Sequence, residues 1–190
     1  MKIAKLIVPI YKSDDKLLVN NYHPISVLAF FKILERMMHN HLLKCLNENN
    51  ILINNQYGFC EGQSTYIALL RMVNDITREM DDKNFAMGIF IDLPKAFDTV
   101  DNTLLIKKMQ HYHDYGIRGI SLRWFSYYLN NRKQYVSLDN CTSKILPVTC
   151  GVPQGSIVGP LLFILFIYDI VHTSNLTGFI MFADNTNLFF

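Results

Sequence analysis

Phe179-Ile180-Met181-Phe182-Ala183-Asp184-Asn185-Thr186-Asn187-Leu188-Phe189-Phe190 is two apolar runs parted by a few polar residues. That pattern predicts a β-hairpin with its tip near Asp184-Asn185. Read alone, it is an ordinary hairpin closed by an Asx turn, because short polar side chains bond their own backbone at turns. A second run, Phe85-Ala86-Met87-Gly88-Ile89-Phe90-Ile91, changes its weight by ending on Asp92. Two isolated carboxylates at the ends of buried strands suit a hard divalent cation, which takes oxygen ligands and acts as a Lewis acid.

The hairpin lies in the most apolar part of the chain. All 18 Lys and Arg fall at or before Lys144, and from Ile145 onward the only acids are Asp169 and Asp184. A buried centre within a basic periphery is expected, with Lys5, Lys12, Arg71, Lys107, Lys108 and Arg132 on the outside. With 50% hydrophobic residues the chain is not a disordered one, and 190 residues suffice for one good-sized domain or two small lobes. A net charge of +2 is too small to argue for nucleic acid by itself. Cys45, Cys60, Cys141 and Cys150 show no CxxC spacing and no secretory leader precedes them, so reduced thiols in an intracellular protein, nuclear or cytoplasmic, are expected. The apolar run from Pro160 to Ile167 is far shorter than a bilayer span and reads as a buried helix, with no membrane role.

In chain order, Lys5 to Tyr11 reads as a strand, and Asn21 to Ser26 as an extended segment because Pro24 disfavours helix before it. Ser26 is placed to cap a helix running to about Leu46, whose Val27, Phe30, Phe31, Leu34, Met37, Met38 and Leu42 recur at helical spacing and read as core. Gln56 to Thr65 is a glycine-containing loop feeding a second helix marked by Ile67, Leu70, Val73, Ile76 and Met80. Such a loop can hold phosphate at a helix N-terminus or simply connect. Helices are predicted from Asn102 to Tyr112 and Gly119 to Asn130, then a hairpin of Arg132 to Leu138 with Lys144 to Cys150. The turn Gly151-Val152-Pro153-Gln154-Gly155-Ser156 leads into a helix from about Val158 to Val171, with Pro160 in its first turn.

Val8-Pro9-Ile10-Tyr11-Lys12, Tyr22 to Leu28, Gln56 to Thr65, Phe90 to Val100, Gly151 to Pro160 and Phe182 to Thr186 follow one another in an order that resembles the reverse transcriptase domain of non-LTR (LINE-type) retrotransposons. The resemblance implies an α+β fold: the fingers and palm of a right-hand polymerase, with an antiparallel palm sheet packed on helices. It implies one domain over residues 1–190, with 1–84 mainly fingers and 85–190 mainly palm. The implied activity is RNA-directed DNA polymerase, a metal-dependent nucleotidyltransferase, using two Mg²⁺ ions or Mn²⁺ in their place. RNA template, DNA primer and deoxynucleoside triphosphates are the implied partners. Asp92 and Asp184 match the family's principal metal ligands, within reach of shared ions on adjacent strands, and the carbonyl of Ile91 or Leu93 is a further candidate. Asp92, Asp184 and Asn185 form the implied catalytic set. Phe97 matches the aromatic that excludes a 2′-hydroxyl. Gln154 and Gly155 match the nucleotide pocket, and Lys12 and His23 match cations offered to the triphosphate.

The chain also departs from the family. Asn185 stands where a second acid is usual, and His23 where Arg is usual. Arg is likewise usual at or near Cys60 and Gln63, and Ser is often found at Pro94. Three residues around His113-Asp114-Tyr115 look inserted. The Asn185 change removes a negative charge beside two dications. A neutral His lacks the fixed fork with which Arg binds phosphate. Every replacement is reachable by a single base transition, a pattern compatible with unselected drift. The chain stops at the hairpin, so a truncated, catalytically impaired copy without thumb or endonuclease is expected, its last strand an edge exposing Phe189 and Phe190 to aggregation. A non-catalytic RNA-binding remnant of a retroelement is the alternative.

Overall fold

In a computed structural model of the chain, the described residues are all except 1–3, 28–30, 50, 52–54, 112–116, 131, 139–140, 174–177 and 190. For Ala4, Lys5, Asn20, His23, Ser26, Val27, Phe31 and Leu138 the description is of backbone alone. The chain runs β1 (Ala4–Tyr11), β2 (Tyr22–Val27), α1 (Phe31–Glu48), α2 (Thr65–Asp81), β3 (Gly88–Asp92), α3 (Ala96–Thr99), α4 (Asn102–His111), α5 (Gly119–Leu129), β4 (Arg132–Leu138), β5 (Cys141–Thr142), β6 (Leu146–Val148), α6 (Gly159–Ile167), β7 (Gly178–Phe182) and β8 (Asn185–Phe189). This is a mixed helix-and-sheet fold, with two sheets among the described residues. One has the order β2-β1-β4-β5 with β6 also on β4, and the other has the order β3-β8-β7. The second is antiparallel throughout, whereas β1 and β4 of the first pair in parallel.

The core forms between helices. Leu42 and Leu46 of α1, Leu105 and Met109 of α4, Phe125 and Leu129 of α5 and Leu162 and Leu165 of α6 belong to one buried cluster. α6 is apolar all round and buries every residue from Leu161 to Leu165, as such a helix must. It ends at Ile167 and continues to His172 as a 3-10 helix, so the predicted single helix to Val171 is two kinds of turn. Ser64 caps α2 by accepting from the Ile67 N–H at 3.3 Å. All four cysteines are free. Among the described residues no helix is long and apolar enough to cross a membrane.

Several expectations are corrected. Ser26 is no helix cap: it pairs with Ile7 in β2, where the ladder to β1 satisfies its backbone. The apolar period of α1 overstates its core, since Leu34 and Met37 are exposed. The run ending at Asp92 is not buried, because β3 is an outer strand whose residues are all exposed, Phe90 at 69%. β8 is not an edge. It lies between β7 and β3 with both ladders made, and Phe189 is half-buried. Phe190 and the stretch around His113-Asp114-Tyr115 lie outside the described residues.

Candidate active site

The β7–β8 hairpin turns on two residues, Ala183 and Asp184, with Phe182 paired to Asn185 across it. The tip is therefore one residue earlier than expected. Two-residue hairpin turns place a residue at positive φ so that the turn follows the strand twist. Here that residue is Ala183, at φ 57°. An L-residue with a Cβ is disfavoured there by about 1–2 kcal/mol, so something else must hold it.

The segment from Asn55 to Gly58 supplies the hold. Tyr57 N–H donates to the Met181 carbonyl and Met181 N–H to the Asn55 carbonyl, both at 2.8 Å. Asn55 Nδ2 donates to the Phe179 carbonyl at 2.8 Å. The buried Gln56 side chain reaches the turn itself. Its Oε1 accepts from Ala183 N–H at 2.9 Å and from Gly58 N–H at 2.8 Å, and its Nε2 donates to the Ala183 carbonyl at 3.3 Å. Gly58 is glycine for a steric reason, since a Cβ there would run into the Ala183 backbone.

The other carboxylate arrives along β3. Asp92, its last residue, lies opposite Asn185 in the ladder. Directly opposed residues of an antiparallel pair have Cα atoms roughly 4.5–5.5 Å apart. Asp92, Asn185 and the adjoining Asp184 thus meet at one end of the three-stranded sheet, with Asp92 and Asn185 exposed and Asp184 half-buried. Among the described residues no three His, Cys, Asp or Glu side chains form a group able to hold an ion. The sheet end instead offers two carboxylates and an amide, hard oxygen donors of the kind Mg²⁺ takes.

A cleft of about 1220 Å³ opens beside the turn. Asp184, Lys12, Phe97, Gln154 and Gly155 line it, and Asp92 and Asn185 do not. The His23 side chain lies outside the description, its backbone paired with Ile10. Lys16 and Lys95 add two further cations to the walls. Phe97 stacks on Phe163 with centroids 4.6 Å apart and meets Phe59 edge-on at 6.1 Å, so it is core on one side and cleft wall on the other. Cys60 is half-buried and burial pushes its thiol up, leaving a neutral group in this loop.

The loop from Gly151 to Gly155 is tied to the stretch after Asp92. Gly151 N–H donates to the Val100 carbonyl at 2.7 Å and Val152 N–H to the Phe97 carbonyl at 2.8 Å. Gln154 Nε2 donates to both carboxylate oxygens of Asp98 at 2.8 Å, which turns its Oε1, a buried atom with no hydrogen-bond partner, away from Asp98. Glu35, fully buried, accepts from Ile157 N–H at 3.0 Å and from Tyr128 Oη–H at 2.6 Å. Burial first, and that bond second, push the Tyr128 phenol far up, so it stays a donor. Gln56, Asp98 and Glu35 went unassigned from sequence, because each acts through a partner far along the chain.

The basic periphery needs correction at Arg132. It is buried and donates to the carbonyls of Leu129 at 3.0 Å, Cys150 at 3.2 Å and Gly151, and burial lowers its pKa. Lys108 bonds the Phe166 carbonyl at 2.6 Å and Asp169 at 2.5 Å, and Arg71 pairs with Asp75 at 2.8 Å. Lys12 and Lys107 are exposed, and the Lys5 side chain lies outside the description.

Residues 10–190 match the family described as "Reverse transcriptase (RNA-dependent DNA polymerase)". The chain belongs to the reverse transcriptase family. This reverse transcriptase chain is 35% identical over 151 residues to the probable RNA-directed DNA polymerase from transposon BS of Drosophila melanogaster, covering 79% of the chain and 16% of that protein. To the RNA-directed DNA polymerase from mobile element jockey of the same organism it is 34% identical over 157 residues, 82% of the chain and 17% of that protein. The chain thus spans about a sixth of the length of the curated relatives it matches. The resemblance to non-LTR retrotransposon polymerases stands on these relatives. Its fold is similar to a solved apo telomerase from Candida tropicalis truncated from its C-terminal domain, with TM-score 0.59 at 11% identity, covering 89% of this chain and 41% of that one. Reverse transcriptases generally use divalent metal ions.

Proposed function

We propose that the chain carries an RNA-directed nucleotidyl-transfer site at the end of the β3-β8-β7 sheet, and that Asn185 weakens it. The observation that carries this reading is the register: Asp92 opposite Asn185, with Asp184 next along the chain. In this reading β1, β2 and α1–α2 are mainly fingers, and residues 85–190 mainly palm. Asp92 and Asp184 hold divalent ions, Mg²⁺ or Mn²⁺, which when bound supply Lewis-acid stabilisation of the attacking and leaving oxygens at the nucleotide's α-phosphate. Asn185 offers an oxygen without charge. Phe97, braced on Phe163, excludes a 2′-hydroxyl by bulk. Gln154 and Gly155 line the nucleotide pocket, and Lys12, with His23 on the neighbouring strand, faces the triphosphate. Template RNA and DNA primer lie along the exposed cations.

The test is primer extension on an RNA template by the chain, with Mg²⁺ and with Mn²⁺. Metal-dependent incorporation that disappears in Asp92→Ala supports the reading. Nucleic-acid binding with no incorporation under either metal overturns it in favour of a binding module.

Asn185→Asp is expected to raise Mg²⁺ affinity and incorporation by at least about tenfold, since even an outer partner of a metal site is commonly worth 10–100-fold. Metal titrations of parent and variant measure it, and an unmoved midpoint would mark the asparagine as tolerated. His23→Arg should shift the nucleotide titration instead.

Binding to single-stranded RNA is expected to weaken steeply between about 50 and 200 mM salt, because counterions released from phosphates favour the complex less as salt rises. Lys107→Ala should flatten the slope of log affinity against log salt, as measured by fluorescence anisotropy. An unchanged affinity over that range contradicts the assignment of the exposed lysines.

A further inference from the structure

We infer that Gln56 is a positioning residue for Asp184, its side-chain amide locking the turn from which that carboxylate projects. The inference rests on the reading of Asp184 as a cation ligand. A two-residue turn has little of its own to define it, and Ala183, immediately before Asp184, holds a φ of 57° that its Cβ disfavours. Gln56 occupies both backbone polar groups of that one residue, accepting from its N–H at 2.9 Å and donating to its carbonyl at 3.3 Å. A strand partner could not do this at a hairpin tip, where the ladder has ended. Being buried, the amide meets no competing water, and its Oε1 is itself fixed by Gly58 N–H at 2.8 Å.

Two features make the hold specific to the turn. Gly58 lets the loop backbone come against Ala183, which any Cβ would prevent. The flanking bonds of Asn55 and Tyr57 to Met181 fix the loop to β7 in parallel register, so Gln56 cannot drift along it. A residue lining no part of the cleft thereby governs where a carboxylate of the cleft stands. Loosening it should cost cation affinity and turnover before it costs nucleotide binding.

Two variants test this. Gln56→Met fills similar volume with no hydrogen bonds, and Gln56→Glu keeps the acceptor for the two N–H groups. The readouts are Mn²⁺ affinity by electron paramagnetic resonance, amide hydrogen exchange at Ala183, and kcat and KM for nucleotide incorporation. Gln56→Met is expected to weaken Mn²⁺ binding about tenfold, expose the Ala183 amide to exchange and lower kcat with nucleotide KM within about twofold. Gln56→Glu should retain Ala183 protection. Mn²⁺ affinity unchanged in Gln56→Met while Asp184→Ala loses it overturns the inference. Should Asp184→Ala itself leave Mn²⁺ binding intact, the cation site is wrong, and exchange at Ala183 alone decides whether the lock exists. An amide still protected in Gln56→Met then overturns it.

Discussion

Replacing Asp92 with alanine is expected to abolish metal-dependent incorporation, by at least about a hundredfold, while the fold survives. A cation placed at a reacting phosphate stabilises transition-state charge by several kcal/mol, and each 1.36 kcal/mol is about a factor of ten in rate. Losing one of two carboxylates removes much of that. Stability should hardly move, because Asp92 is exposed at the end of an outer strand and substitutions at such places usually stay within about 0.5 kcal/mol. Thermal unfolding run beside primer extension separates the outcomes. A variant with an unchanged melting point and unchanged incorporation would remove Asp92 from the chemistry. Asp184→Ala should match it in rate, although its half-buried turn gives it a larger effect on stability.

Gly151→Ala is expected to be among the most destabilising single changes, at about 3 kcal/mol or more. Two costs combine. Gly151 has φ +82°, where a Cβ is penalised by about 1–2 kcal/mol. The added Cβ would also sit 2.7 to 2.9 Å from backbone atoms of Asp98, which cannot move aside like a side chain. Gly62→Ala is the control: φ is +74°, but nothing lies within 4 Å, so only the backbone term applies. In a domain of this size 1 kcal/mol shifts the melting point by about 2–4 °C, so the two variants should differ by several degrees. Equal shifts would mean that the loop relaxes away from Asp98.

Local signals were the readable part. Two apolar runs parted by polar residues marked the final hairpin, the loop from Gln56 to Thr65 marked the start of α2, and an apolar run marked α6. The bringing together of Asp92 and Asp184 was expected from their matching a known pattern, because no local period tells one strand-end carboxylate from another. Strand order was not readable. That β8 inserts between β7 and β3, or that β1 runs parallel to β4, depends on pairings between distant segments, which leave no trace in either segment alone. Arg132 reads as a surface cation by residue type, yet the end of α5 and the turn at Gly151 surround it with carbonyls. Gln56 is legible only once Ala183 is known to stand against it.

The order of the small sheet bears on how the protein is made. β3 leaves the ribosome roughly ninety residues before its ladder partner β8, and at about 5–20 residues per second that interval is several seconds. Throughout it Ile89 and Phe90 have no strand to pair with, and Asp92 has no Asn185 opposite it. The helical core can condense in the meantime, since α1, α4, α5 and α6 all precede β7. The end of the sheet that carries Asp92 is therefore completed only after these helices have been made. A holdase that shields apolar strands on nascent chains would be of most use to this protein in that window.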